Sequence, residues 1–255
     1  SLGGFAGAGV LLVFLKILSF SVNESIWGLL IVLFIAMVIV SQFMLTFGSD
    51  PNAKITKKSK SPLSFHPIAL IFGLLSFVSY LVEGAVGDWS ALYLFEDKGI
   101  VIEEAVMGVM LFNGTMCIGR LLGNRLGKHL TSKQVVVGGY LLGSIAMGLI
   151  VFLPGHASMY TYLLLGISLA MIVPNLFSAM GEQNVIPMTQ AVATSTMLGY
   201  MGILMGPALI GFIAHGTSLT VAFIVLTTLL VVSAGIGKYA YHLMSKDCGL
   251  SEEQI

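Results

Sequence analysis

Gly119-Arg120-Leu121-Leu122-Gly123-Asn124-Arg125-Leu126-Gly127-Lys128 is a basic, glycine-bearing turn set between two long apolar stretches. Six such stretches fill residues 66–255, and two more precede them. Hydrophobic runs of about 20 residues are too long for the helices of a water-soluble core and match the ~30 Å hydrocarbon layer of a bilayer. A short basic turn between two of them marks the cytoplasmic end of a helical membrane bundle.

Composition agrees. Charged residues make up 9% of the 255-residue chain, and mean hydropathy is +0.96. Soluble domains carry about 25% charged residues, so lipid has to be the solvent for most of this surface. A formal net charge of zero argues against nucleic acid as a partner. Cys117 and Cys248 lie in an apolar span and in the tail, which argues against a disulfide and for two inert thiols. His66, His129, His156, His215 and His242 are scattered singly and read as interfacial or loop histidines, so no metal site is expected.

Eight spans are predicted, at about 1–19, 25–46, 67–94, 104–123, 134–153, 158–180, 188–213 and 219–243. Period-two alternation is absent, and lone strands cannot satisfy their backbone in lipid, so the spans are helices. The one long connection, 47–66, carries Lys54, Lys57, Lys58 and Lys60. Those four lysines lie on one side of the membrane with Arg120, Arg125, Lys128, Lys133, Lys238 and Lys246; only Lys16 and Lys98 fall on the other. This asymmetry places the linker and the C-terminus in the cytoplasm. The expected organisation is two helices of a first half over 1–46, a cytoplasmic linker over 47–66, a six-helix half over 67–244 and a cytoplasmic tail over 245–255. Gly4-Phe5-Ala6-Gly7 and Gly199-Tyr200-Met201-Gly202 recur at an offset of 195. Two halves on one pattern, with six spans after the linker and two before it, lead to the expectation of four further spans upstream.

Two carboxylates need explaining. A charge at mid-membrane costs about 2.5–3.5 kcal/mol on insertion scales and persists only beside a cavity or a partner. Glu83 lies about 24 Å into the third span, just past its middle on the outer side, where a carboxyl can load and unload a proton. Asp88, about 140° further round the helix, reads either as a second proton carrier or as an interfacial cap beside Trp89. Asn113 and Asn175 are amides inside apolar runs that either meet a substrate or tie helices together. Tyr80, Trp89 and Tyr200 are candidates to stack on a substrate, although Trp89 also suits an outer aromatic belt. Gly202 and Gly206 share one helix face and permit close backbone approach, while Pro207 removes a backbone hydrogen bond and bends the helix. The sequons Asn113-Gly114-Thr115 and Asn23-Glu24-Ser25 are not read as sugar sites. No Walker A sequence occurs, so ATP is not the expected energy source. An intramembrane enzyme or assembly protein is the alternative, but the sequence has no convergent catalytic cluster to support it.

Three segments together carry a family resemblance. Asn124-Arg125-Leu126-Gly127-Lys128 resembles the G-x-x-x-D-R-x-G-R-K signature of the major facilitator superfamily, with Asn124 in place of its Asp and Arg120 where its first Gly stands. The run from Gly199 through Gly202, Gly206 and Pro207 to Gly211 resembles that superfamily's eleventh helix. Glu83-Gly84-Ala85-Val86-Gly87-Asp88-Trp89 resembles the seventh helix of a bacterial branch distantly akin to the fucose permease. The resemblance spans the chain as helices five to twelve. It implies a secondary transporter of a bacterial inner membrane, acting as a monomer without cofactor on a small polar solute and protons. Under it Glu83 and Asp88 would couple protons, and Tyr80, Trp89, Asn113, Asn175 and Tyr200 would line the cavity. Arg120, Asn124, Arg125 and Lys128 would form a cytoplasmic gate. Gly199, Gly202, Gly206, Pro207 and Gly211 would pack sliding helices.

Overall fold

The computed structural model describes residues 66–126, 130–183 and 185–248, together with helical positions between Trp27 and Val38. The chain divides into two compact units, Ser1–Lys60 and Ser61–Ile255. In the first, the described positions between 27 and 38 are helical; the rest of the first two predicted spans and the linker up to residue 65 lie outside the described residues.

The second unit is built of α1 (Pro67–Glu96), α2 (Ile102–Leu126), α3 (Ser132–Phe152), α4 (Gly155–Ala170), α5 (Ile172–Glu182), α6 (Met188–Gly216) and α7 (Leu219–Cys248). Six helical spans, with α4 and α5 counted as one, are long and apolar enough to cross a membrane. Each matches a predicted span to within a few residues, except that the span predicted at 158–180 is broken. The break falls at Met171, where φ is −102° and ψ −7°. Pro174 explains it: its nitrogen cannot donate to Ala170, and its ring crowds that carbonyl.

Local signals set the other ends. His66 caps α1 with Pro67 in its first position, and Thr131 with Gln134 forms a capping box at the start of α3. The short connections on the other face use Gly99 and Gly155 at φ +68° and +47°, values open to glycine at little cost.

α1 is the central helix and touches α2, α4, α5, α6 and α7, most extensively α6. Its buried residues, from Ile68, Phe72 and Leu75 through Leu81, Val82 and Val86 to Tyr93, recur at spacings of three and four around most of its circumference. By contrast α2 and α6 leave much of their surface open, with Leu204 76% and Phe212 81% exposed, as suits helices solvated by lipid or by further protein.

One buried polar link ties α1 to α3. Tyr140 Oη donates to the Leu75 carbonyl at 2.7 Å and accepts from Ser79 Oγ at 2.8 Å. Tyr140→Phe removes both bonds and orphans the Ser79 hydroxyl, so a loss of about 1–2 kcal/mol in detergent-unfolding stability is expected. An unchanged unfolding midpoint would deny the link any stabilising role.

Candidate functional site

The interface of α1 with α6 is made by glycines. Cβ atoms built on Gly199, Gly206 and Gly211 would stand 2.7 Å from the Tyr80 ring, 2.5 Å from the Leu81 carbonyl and 2.9 Å from the Trp89 ring. One on Gly202 would collide with the carbonyl of Phe77, and one on Gly84 would come within 2.8 Å of the Ile203 carbonyl. Pro207 has no N–H to offer Ile203, so Gly84 packs on a carbonyl that lacks its usual helical donor.

Trp89 closes the same seam nearer the α1–α2 turn. Its Nε1 donates to the Pro207 carbonyl at 2.9 Å while its ring lies over Gly211. The indole, with Glu96, Asp97 and His215, also lines an open cleft at that end. Trp89→Phe loses the hydrogen bond together with the indole carbons, Cζ2 and Cη2, that pack on Gly211. It should lower unfolding stability by about 0.5–1.5 kcal/mol; equal stability would show that the bond contributes nothing.

Mid-depth in the bundle, Arg120 of α2 reaches Glu83 of α1, with Nη2 3.1 Å from Oε2. The side chains are 30% and 20% exposed, respectively, so the pair is desolvated but accessible. Tyr80 is one turn from Glu83 on the same face, and its ring lies parallel to that of Tyr200 on α6, 6.2 Å away at 6°. Tyr200 is 61% exposed. Three helices thus bring a carboxylate, a guanidinium and two aromatic faces to one partly open spot.

This arrangement corrects one sequence expectation. Arg120 was grouped with the basic rim of the cytoplasmic mouth; it points instead at a carboxylate in the body of the bundle. Glu83 lies about 24 Å from the Pro67 end of α1 and about 20 Å from its Glu96 end, just past the middle, while Arg120 lies about 27 Å from the Ile102 end of α2 and about 9 Å from its Leu126 end. The Arg120 side chain therefore reaches from the last third of α2 to a carboxylate near the middle of α1. The sequence did hold a signal, since Arg120 falls inside the predicted span 104–123, where a cation needs a partner.

The remaining candidates disperse. Asp88 is exposed on α1, away from the pair. Asn175 gives its amide N–H to Met171 at 2.8 Å and accepts from Ser132 Oγ at 3.3 Å, so it ties α5 to the start of α3 in place of the cavity role expected for it. Asn113 donates to Val109 of its own helix at 3.0 Å. The side chains of Asn124 and Arg125 and the whole of Lys128 lie outside the described residues.

The six-span unit is a polytopic membrane bundle, and comparison with known proteins gives it relatives. An uncharacterized MFS-type (major facilitator superfamily) transporter of Yersinia pestis is 35% identical over 239 residues, covering 92% of this chain and 60% of its own length. Membrane protein MosC of Rhizobium meliloti is 30% identical over 170 residues, covering 66% of this chain and 42% of its own length. The crystal structure of the E. coli fucose:proton symporter FucP superposes with a TM-score of 0.61 at 16% identity, over 69% of this chain and 43% of that one. No family model matches the chain. The chain spans about half the length of these relatives. It is a multi-pass membrane protein of the major facilitator fold, related to transporters of that superfamily.

Proposed function

We propose that the protein is a secondary active transporter that moves a small polar solute across a bacterial inner membrane by alternating access, with Glu83 as the proton carrier. The observation that carries this reading is the partly exposed Glu83–Arg120 pair at 3.1 Å, flanked by the stacked Tyr80 and Tyr200. A charge pair at mid-membrane that remains reachable from a cavity is poorly suited to holding a fold together and well suited to exchanging partners. When Glu83 is ionised it neutralises Arg120. When it is protonated, the interaction between α1 and α2 changes from an ion pair to a weaker hydrogen bond, and the relative energy of two helix arrangements changes with it. The glycine seam between α1 and α6 supplies a smooth surface along which such a rearrangement can run.

The basic linker and tail, Lys54 to Lys60 and Lys246, support a cytoplasmic C-terminus. The bacterial sources of the relatives support an inner-membrane location. Asn124, Arg125 and Lys128 remain proposed as parts of a cytoplasmic gate, on the resemblance alone.

The test is uptake into proteoliposomes holding the complete protein, with a panel of labelled sugars, amino acids and carboxylates and an imposed pH gradient. Accumulation that requires the gradient supports the reading. Uptake that only equilibrates each solute, or no uptake of any of them, would remove proton-driven transport.

A further inference from the structure

We infer that a groove between α3 and the end of α4 is a binding site for an anionic phospholipid, with one acyl chain in the groove and the headgroup at the start of α3. The inference needs only the membrane fold and stands apart from the transport reading. The groove has a volume of about 340 Å³. Gln134, Gly138 and Leu142 of α3 line one wall, and Ile167, Ser168 and Met171 line the other. From Gln134 to Leu142 it runs about 12 Å along α3, on residues four apart that share one helix face. Leu130, just before the capping residue Thr131, lines the end nearest the start of that helix.

Glycine makes the hollow. A Cβ on Gly138 would meet nothing within 4 Å, whereas one on the neighbouring Gly139 would come within 2.8 Å of the Ser168 carbonyl. α3 therefore approaches α4 closely through Gly139 and leaves the space beside Gly138 unfilled. The polar groups along the walls are already engaged. Ser168 Oγ donates to the Leu165 carbonyl at 2.7 Å, and Gln134 Oε1 accepts from the Thr131 N–H at 3.1 Å. What remains is largely aliphatic, and an apolar hollow of this kind stays free of water and takes up hydrocarbon.

Its place in the bundle supplies the chain. α3 packs on α4, α5 and α7 and not on α2 or α6, the helices that hold Arg120 and Tyr200. The groove therefore lies away from the partly open charge pair. Leu130, Leu142 and Ile167 at its rim are exposed, as is Ile145 further along α3. In a membrane-spanning unit such a surface is solvated by acyl chains.

The headgroup follows from charge. Residues 105–181 include no Asp or Glu, and the connection from α2 to α3 carries Arg125, Lys128 and Lys133. Glu182 ends α5 at the same side, so three cations stand against one carboxylate. Each cation contributes to this field at a distance, with its own contacts intact. The start of α3 adds the positive end of a helix dipole, which favours a phosphate. Basic residues beside a membrane attract anionic lipids, each by about fivefold in affinity.

The test uses a phosphatidylglycerol and a phosphatidylcholine that carry the same diazirine-bearing, photoactivatable acyl chain. Each is irradiated with the complete protein purified in detergent, and the labelled residues are located by mass spectrometry. Phosphatidylglycerol is expected to label 130–142 and 167–171 above every other exposed apolar stretch, at least about fivefold better than phosphatidylcholine at low salt. Lys133→Gln should lower phosphatidylglycerol labelling by about fivefold and leave phosphatidylcholine labelling unchanged. Gly138→Leu fills the hollow and should cut labelling there by at least about tenfold. Gly235→Leu, on α7 where a Cβ also meets nothing within 4 Å, should not change it. Gly138→Ala guards against a folding defect in the larger variant: it should lower labelling by a smaller factor without lowering the unfolding midpoint.

Labelling spread evenly over the exposed leucines of the bundle, equal labelling by the two lipids, unchanged labelling of Lys133→Gln, or full labelling of both Gly138 variants would each overturn the inference. So would a dimer in solution that Gly138→Leu dissociates, because a second copy would then fill the groove.

Discussion

Glu83→Gln is expected to abolish gradient-driven accumulation while leaving solute exchange across the membrane largely intact. Glutamine is close in size to the protonated acid and keeps a hydrogen-bonding group towards Arg120, but it cannot ionise. The variant is held in the form that corresponds to proton-loaded Glu83. Exchange needs only that loaded form to turn around; net accumulation needs the proton to leave. In proteoliposomes the concentration ratio should fall to simple equilibration, whereas counterflow of labelled against unlabelled solute should persist. If the variant still concentrates solute in response to an imposed pH gradient, Glu83 has no part in coupling, and Asp88 or a carboxylate outside the described residues takes its place as the candidate.

The same pair gives a stability result that separates coupling from scaffolding. Arg120→Gln strands the Glu83 carboxylate, a change that costs about 3–5 kcal/mol for a fully dry pair. Here the partners are 30% and 20% exposed, so water offsets part of the cost, and a loss of about 1–3 kcal/mol is the reasonable expectation. Adding Glu83→Gln to Arg120→Gln removes the stranded charge and should restore most of that loss. Recovery of the fold without recovery of accumulation is the pattern of a pair kept for function.

How far the sequence could be read follows from the range over which each feature is set. Span positions depend on local hydropathy, and all six described spans lie where the apolar runs put them. The break at Met171 was also within reach, because Pro174 is a local signal. The Glu83–Arg120 pair was half legible. Each residue, taken alone, was a charge in an apolar run needing a partner. The basic residues Arg125 and Lys128 that follow Arg120 drew it into the rim instead. Asn175 shows the converse: an amide in a hydrophobic run suggests a cavity, but a partner 43 residues away, Ser132, engages it at the foot of α3. The Tyr140–Ser79 link, across 61 residues, leaves no local trace, since only the register of α1 against α3 creates it. Contacts between helices are decided by rotation and height, which hydropathy does not encode.

Gly202→Ala is expected to be among the most damaging single-methyl changes in the described structure. The new Cβ would fall on the carbonyl of Phe77, which belongs to the backbone of the central helix and cannot swing aside as a side chain would. Overpacking a tight site costs about 1–3 kcal/mol, and a rigid backbone neighbour puts Gly202 at the top of that range. Relief requires α6 to move off α1, and that movement would also strain the Tyr80–Tyr200 stack and the Trp89–Pro207 bond. Gly206→Ala, with the Leu81 carbonyl 2.5 Å from its Cβ, should behave similarly. Gly87 and Gly138 serve as controls. A Cβ on either meets nothing within 4 Å, so alanine there should leave stability unchanged or raise it by up to about 1 kcal/mol through its better helix propensity. Detergent-unfolding midpoints for the four variants test the ordering. If Gly202→Ala unfolds with the controls, α1 and α6 are not held at the separation on which the site depends, and the argument from their glycine seam to the placement of Tyr200 beside Tyr80 fails with it.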